Sequence, residues 1–130
     1  MIMHAKGEFE VKLVPITDDR TIPLTGRMTI DKEFHGDLEG SSEGQMLSAG
    51  TAVSNSAGYV AIERVEGSLN NKKGSFFLQH NAIMDKGKGT LNIIIIPDSG
   101  TDELKGITGK LSIEIVNKRH FYDLEYSLPE

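Results

Sequence analysis

The strongest constraint in this sequence is an alternation of apolar and polar residues with a period of two, which recurs in segment after segment. Successive side chains of a β-strand point to opposite faces, so this period predicts strands that bury one face. No window of about a dozen residues carries a convincing helical period. The chain is therefore predicted to be all-β.

Alternating runs are separated by residues that favour a chain reversal, which predicts strands joined by short turns. The runs are Ala5 to Val14, Arg27 to Phe34, Leu38 to Ser48, Gly58 to Leu69, Gly74 to Met84, Gly89 to Ile96, Gly109 to Val116 and His120 to Leu128. The turn clusters include Asp18-Asp19, His35-Gly36-Asp37, Asn70-Asn71, Pro97-Asp98-Ser99-Gly100 and Asn117-Lys118. Such a meander can remove its exposed edges by closing into an eight-stranded antiparallel barrel, with a sandwich as the alternative.

Composition limits the class of protein further. A chain of 130 residues, 38% hydrophobic and 25% charged, predicts a single domain over residues 1–130. A net charge of −5 disfavours nucleic acid and anionic membranes as partners. There is no Cys, and the first residues lack the apolar segment of a signal peptide, so we expect a cytoplasmic protein without disulfides.

The cross-strand partners in two hairpins can be predicted from their turns. With Asn70-Asn71 as a two-residue turn, Ala61 lies opposite His80 and Glu63 opposite Leu78, on a mostly apolar face. That face also carries Tyr59, Val65, Phe76 and Ala82, and the opposite face carries Arg64, Glu66, Ser75, Gln79 and Asn81 beside the apolar Val60, Ile62, Phe77 and Ile83. With Asn117-Lys118 as the turn of the last hairpin, the inward pairs are Ile115 with His120, Ile113 with Tyr122 and Leu111 with Leu124.

The second and third strands are predicted to pair across a three-residue loop at His35-Gly36-Asp37, which places Ile30 opposite Ser42. The same loop pairs Phe34 with Leu38 and Met28 with Gly44, and turns Gly40, Ser42 and Gly44 inward. Small residues on one strand face suit a narrow barrel and leave space for a ligand. The first strand is predicted to add Ala5, Gly7, Phe9, Val11 and Leu13 to the inner face.

Four segments resemble the bacterial DUF3224 family. They are Gly58-Tyr59-Val60-Ala61-Ile62-Glu63-Arg64-Val65-Glu66-Gly67, Gly74-Ser75-Phe76-Phe77-Leu78-Gln79-His80, Pro97-Asp98-Ser99-Gly100-Thr101 and His120-Phe121-Tyr122-Asp123-Leu124-Glu125-Tyr126. The resemblance covers nearly the whole chain and implies a closed eight-stranded barrel similar to allene oxide cyclase. It implies no activity, because the family has no known function, and no catalytic residue is carried over from the cyclase.

Glu63 is the most informative single residue, because an acidic side chain on an apolar face is costly to bury without a partner. We expect burial to raise its pKa, so that Glu63→Gln is at least as stable as the parent at neutral pH, unless a charged His80 reverses the effect. His80 lies diagonally adjacent on the paired strand. The pair is either a proton-transferring catalytic couple or a hydrogen-bonded structural one.

The remaining polar candidates are rings on inward faces, which either line a pocket or fill the barrel. The predicted ligand-binding set is Ser42, Tyr59, Glu63, His80, His120, Tyr122 and Tyr126, with Glu63 and His80 as the catalytic candidates. The residues His4, His35, His80 and His120 show no metal-ligand spacing, so we expect no metal and no cofactor.

Three functions stay open. The favoured one is binding of a small hydrophobic ligand in the barrel lumen. The alternatives are a cofactor-free isomerase or cyclase that uses Glu63 and His80, and a structural or interaction barrel with a filled lumen. The outward Val60, Ile62, Phe77 and Ile83 predict a homodimer or other homo-oligomer.

Overall fold

The computed structural model describes residues 1–17 and 22–130, which form a closed antiparallel β-barrel. Its strands are β1 (Met3–Pro15), β2 (Thr25–Gly36), β3 (Leu38–Gly50), β4 (Ala57–Leu69), β5 (Lys72–Asp85), β6 (Lys88–Ile95), β7 (Thr108–Val116) and β8 (Arg119–Ser127), with a 3₁₀ helix at Asp102–Leu104. Each strand pairs with the next and β8 pairs with β1, so the barrel closes. The all-β, eight-stranded prediction is confirmed, while the predicted turn at Asp18-Asp19 lies outside the described residues.

Two tight turns set the register of the hairpins that they join. Asn70 and Asn71 have φ values of 46° and 69°, and Asn117 and Lys118 have 51° and 68°. Positive φ at both central residues is the backbone of the hairpin turn whose twist matches paired strands. The predicted pairs are therefore confirmed, with Ala61 opposite His80 in β4–β5 and with the predicted partners in β7–β8.

The predicted register of β2 and β3 is wrong by two residues. Phe34 lies opposite Gly40 rather than Leu38, and Ile30 therefore lies opposite Gly44 rather than Ser42. The two strands separate early, because Gly36 pairs with β1 and Leu38 pairs with β4 beyond the last β2–β3 pair. A shift of two residues leaves every side chain on its predicted face.

The two ends of the barrel differ in how they are covered. We call the end with the β3–β4, β5–β6 and β7–β8 connections the upper end, and the opposite one the lower end. The β6–β7 connection crosses the lower end and buries Leu104 and Ile107 in the core. Its Thr101 hydrogen-bonds Ser75, which explains why Ser75 is buried although it was predicted to face outward.

The core fills the lower part of the barrel. Along β1, Ala5 and Phe9 are buried, whereas Leu13 lies on the same inner face opposite Ile30 but is 45% exposed near the upper end. The core cluster consists of Ala5, Phe9, Phe34, Leu38, Val65, Leu69, Phe76, Leu78, Ile93, Ile95, Leu104, Ile107, Leu111, Tyr122, Leu124 and Tyr126.

The glycines of β3 allow β3 and β4 to pack closely. A Cβ atom on Gly40 would lie 2.3 Å from the Glu66 carbonyl oxygen, and one on Gly44 would lie 2.2 Å from that of Ile62. Such contacts are shorter than any that real Cβ atoms make. Glycine at these positions is therefore required by the neighbouring backbone rather than by bulky side chains across the lumen.

No helix within residues 1–17 and 22–130 is long and apolar enough to cross a membrane.

Candidate functional site

Polar side chains from four consecutive strands meet inside the barrel. Lys32 of β2, Ser42 of β3, Glu63 of β4 and His80 of β5 are all buried, and the Glu63 side chain is 0% exposed. Lys32 lies directly opposite Ser42, and Glu63 lies opposite Gly44, the next inward residue of β3. We call these four residues the polar layer.

One carboxylate oxygen holds the polar layer together. Glu63 Oε2 lies 2.9 Å from Lys32 Nζ, which donates to it, and 2.7 Å from His80 Nε2. An ionised carboxylate can only accept, so the proton of the second bond resides on His80 Nε2. In a neutral ring, His80 Nδ1 is then a hydrogen-bond acceptor. The predicted contact between Glu63 and His80 is confirmed.

The expected rise in the pKa of Glu63 is wrong. Burial raises the pKa, but the hydrogen bond from His80 and the positive charge of Lys32 outweigh burial and lower the pKa to about 2. Two partners therefore reverse the expected direction: His80, which the sequence analysis named as able to do so, and Lys32, which it did not name. At neutral pH the carboxyl is ionised, so it has no proton to donate as a general acid.

Three atoms of the polar layer lack a hydrogen-bond partner within the described part of the chain. They are Ser42 Oγ, Glu63 Oε1 and His80 Nδ1. Buried polar atoms are nearly always hydrogen-bonded, and an unpaired one costs about 1–3 kcal/mol. The described chain therefore leaves hydrogen-bonding capacity unmet at three atoms of one layer.

Aromatic rings enclose the ammonium group of Lys32. Its Nζ lies 4.9 Å from the centre of the Phe9 ring and 6.0 Å from that of Phe34. Both rings offer a negative face to the cation. The ring of His120 packs against Phe9 with a centroid distance of 5.1 Å, which connects this residue to the polar layer through Phe9.

An apolar cavity of about 600 Å³ lies at the upper end of the barrel. Its inward-facing lining includes Met46, Ser48, Tyr59, Ala82, Met84 and Leu91. Tyr59 connects the cavity to the polar layer, because its ring centre is 6.3 Å from that of His80. Burial and the charge of Glu63 raise the pKa of Tyr59, which keeps its hydroxyl protonated.

The structure divides the predicted ligand-binding residues into two groups. Ser42, Glu63 and His80 form part of the polar layer, and Tyr59 lines the cavity. The hydroxyls of two other residues are engaged at the lower end: Tyr122 accepts from the Leu38 amide at 2.9 Å, and Tyr126 accepts from the Asn70 side chain at 2.6 Å. These contacts give Tyr122 and Tyr126 structural partners away from the cavity.

Lys32 is the residue that the sequence analysis missed. The alternating pattern indicated that Lys32 faces inward, because it lies between the apolar Ile30 and Phe34 and has the same parity as both. Period-two alternation therefore turned it inward along with them. A lysine is almost never fully buried unless it is paired, and the partner of Lys32, Glu63, lies 31 residues away in the sequence.

A second group of polar residues lies on the outer surface. Glu10, Glu33 and His35 of β1 and β2 have ligand atoms within 4.8 Å of one another, and all three are exposed. His35 Nε2 lies 3.1 Å from Glu10 Oε1, which is an ordinary surface ion-pair geometry. Exposed acidic groups of this kind are common, so the cluster does not define a site.

Fold and site together define a class of protein, the closed eight-stranded antiparallel barrels with a polar layer inside. The family model described as a protein of unknown function, DUF3224, matches residues 5–126. A crystal structure of a protein with unknown function from the DUF3224 family of Shewanella oneidensis MR-1 is 44% identical, covering 100% of this chain and 99% of that one, with a TM-score of 0.93. The chain belongs to the DUF3224 family, as its sequence segments predicted. No curated protein matches it.

Proposed function

We propose that this DUF3224 protein binds a small hydrophobic molecule in the cavity at the upper end of the barrel. The observation that supports this proposal is the cavity itself, about 600 Å³ in volume and lined mainly by apolar side chains. Ligand sites in proteins have volumes of roughly 300–1,000 Å³ and combine apolar walls with a few polar groups. The mouths of β-barrels are a common place for them.

The inward residues around the cavity are small or flexible. Ala82 leaves space in β5, and Met46 and Met84 have unbranched side chains that adapt to the shape of a ligand. Leu91 and Met84 are both exposed at 44%, although their strands turn them inward. A bound apolar molecule would remove these side chains from water, which is the main source of affinity for such a site.

A tryptophan placed in the cavity tests the proposal, because the chain contains none. Ala82→Trp should show blue-shifted fluorescence and should bind a hydrophobic probe such as 1-anilinonaphthalene-8-sulfonate more weakly than the parent does. Ser41→Trp is the matched control, since Ser41 is exposed on the outer face of β3 between the charged Glu33 and Glu66 of the neighbouring strands. Equal probe binding by both variants and the parent would contradict a site at Ala82 and would support a filled structural barrel instead.

Native mass spectrometry of the purified protein identifies the ligand class directly. We expect a mass increase that disappears on extraction with organic solvent and is absent from Ala82→Trp. Retention of the same adduct by Ala82→Trp would place its binding elsewhere on the protein.

A second candidate is a cofactor-free isomerase or cyclase that transfers a proton. The hydrogen bond of 2.7 Å between Glu63 and His80 favours it, because an ionised carboxylate orients the ring and stabilises its protonated form. In this reaction His80 Nδ1 would take a proton from substrate carbon and return it to another carbon. Incubation of the extracted ligand with the protein in deuterated water should then introduce deuterium into the ligand, and Ser41→Trp should retain this exchange while His80→Gln loses it.

An uncharged outer face supports a homodimer as part of the proposal. Ten neighbouring outward residues of β3 to β6 carry no charge, in a chain with a net charge of −5. They are Gln45, Leu47, Val60, Ile62, Gln79, Asn81, Ile83, Thr90, Asn92 and Ile94. Two identical acidic chains repel each other least where they meet through such a face, and its exposed apolar side chains favour the contact.

Sedimentation velocity over a range of concentrations tests the dimer. Val60→Asp should shift the protein toward monomer, while Val14→Asp should not, because Val14 is exposed on β1, which β2 separates from the uncharged face. A parent that remains monomeric at all concentrations would contradict the dimer.

A cytoplasmic location also belongs to the proposal, and fractionation of the cells that produce the protein would test it.

A further inference from the structure

The polar layer lies directly below the cavity. His80 is the next inward residue of β5 after Ala82, which lines the cavity, so the two positions are about 7 Å apart along the strand. On the neighbouring strand, Tyr59 lines the cavity and its ring is 6.3 Å from the ring of His80. The cavity lining ends at Tyr59 and Ala82, one inward residue above His80, so the polar end of a bound molecule must pass this level to reach the unpartnered atoms.

These unpartnered atoms call for a hydrogen-bond donor. Glu63 Oε1 belongs to an ionised carboxylate and can only accept, and His80 Nδ1 accepts in the neutral ring. Ser42 Oγ can donate or accept. A group that only accepts, such as an ether or ketone oxygen, would leave both Glu63 Oε1 and His80 Nδ1 without a proton to bind.

The charges of the polar layer favour a neutral group. The charge of Glu63 is already balanced by Lys32, whose Nζ donates to Oε2 at 2.9 Å. A carboxylate on the ligand would meet Glu63 Oε1 as a like charge in a buried site. An ammonium group would add an uncompensated positive charge to a layer that is balanced without it.

Resting on the proposed function, we propose that the ligand is an apolar molecule with one neutral hydroxyl group, which donates its hydrogen to Glu63 Oε1, the charged acceptor of the polar layer. The apolar chain occupies the cavity, and the hydroxyl group enters the polar layer. The chemical class is therefore that of long-chain or cyclic alcohols rather than fatty acids, amines or hydrocarbons.

Thermal unfolding of the unaltered protein with matched ligands tests the head group. The ligands are 1-decanol, 1-methoxynonane, decanoate and decylammonium at equal free concentration, and each raises the melting temperature according to its affinity. We expect 1-decanol to bind on the order of tenfold more tightly than the ether, because a hydrogen bond to a charged acceptor distinguishes them. Equal affinity of alcohol and ether, or tighter binding of either ion, would overturn the inference.

This comparison separates the two proposals. Binding of the ether tests the apolar cavity, whereas the difference between alcohol and ether tests the polar layer. If none of the four molecules raises the melting temperature, the proposed function fails and the inference fails with it. If ether and alcohol bind equally well, the cavity stands and only the head-group inference is overturned.

Glu63→Gln sharpens the test, because an amide has only one oxygen. That oxygen is expected to replace Oε2 as the acceptor of Lys32 and His80, which leaves an NH₂ group at the position of Oε1. The preference for alcohol over ether should then disappear. The matched control Glu114→Gln, at an exposed position of β7, should retain the tenfold preference, and loss of preference in both variants or in neither would contradict the assigned role of Glu63.

Discussion

The lower and upper parts of the barrel are built from the same strands but are packed differently. On β5, Leu78 is 0% exposed, whereas Met84 is 44% exposed, although both have the parity of the inner face. The lower part is covered by the β6–β7 connection, which inserts Leu104 and Ile107 into the core. The described connections of the upper end place no residue in the core cluster. Alternation therefore determines which way a side chain faces, but the connections determine whether it is buried.

The polar layer lies at the boundary between these two parts. Below it the inward side chains form the apolar core, and above it they line the cavity. The Lys32–Glu63 ion pair at this level is buried between the core and the cavity. The following predictions test how differently the two parts respond to change.

The largest effect on stability is expected when the buried carboxylate of Glu63 loses its cationic partner, Lys32. Lys32→Met removes the ammonium group and leaves Glu63 buried without a cation, which should lower the free energy of unfolding by roughly 3–5 kcal/mol at neutral pH. Lys12→Met is the control, because Lys12 is exposed on β1 and should change stability by less than about 0.5 kcal/mol. Urea denaturation measures both. Similar free energies of unfolding for Lys32→Met and Lys12→Met would mean that Lys32 does not stabilise the buried charge of Glu63.

Truncation of a leucine should distinguish the packed part from the open part directly. Leu78→Ala leaves a void in the core and should cost roughly 3 kcal/mol, whereas Leu91→Ala at the cavity should cost less than about 1 kcal/mol. Calorimetric unfolding of both variants without added ligand gives the difference. A cost for Leu91→Ala as large as that for Leu78→Ala would show that the upper end is packed as well.

Glu63→Gln should destabilise the protein at neutral pH, by on the order of 2–3 kcal/mol, rather than stabilise it. The folded pKa of about 2 lies below the unfolded value of about 4.3, so the stability from Glu63 is present above pH 4.3 and is lost as the pH falls through 2. The difference between parent and variant should therefore shrink in acid. Denaturation from pH 7 to pH 2 measures it, and a variant at least as stable as the parent at pH 7 would contradict the paired carboxylate.

The smallest effect concerns the backbone of β3. Gly44→Val brings a Cβ against the Ile62 carbonyl oxygen and should cost about 1–3 kcal/mol. Gly50→Val is on the same strand and the same inner face, but its nearest neighbour is 4.0 Å from the added Cβ. Melting temperatures should fall for the first variant and stay nearly unchanged for the second. A fall of equal size in both would mean that β3 is constrained along its whole length.

Local sequence predicted those parts of the fold that depend on local chemistry. The turns Asn70-Asn71 and Asn117-Lys118 have backbones that asparagine readily adopts, so the registers of β4–β5 and β7–β8 followed from them. The β4–β5 register in turn predicted that Glu63 and His80 lie next to each other. The β2–β3 register could not be predicted in this way. Gly36 pairs with β1 and Leu38 pairs with β4, so the strands separate through contacts that are remote in sequence.

What the sequence by itself determined about this protein is the strand count, the inner face of each strand and the position of an acidic residue on one of these faces. These properties depend on period-two alternation and on turn residues, both of which act over a few positions. Only the tertiary structure decided the charge state of Glu63, because its pKa depends on the hydrogen bond from His80 and on Lys32, which is 31 residues away on a strand that does not adjoin β4. It likewise decided which end of the barrel is packed, since burial requires a connection to cross that end and exclude water from it.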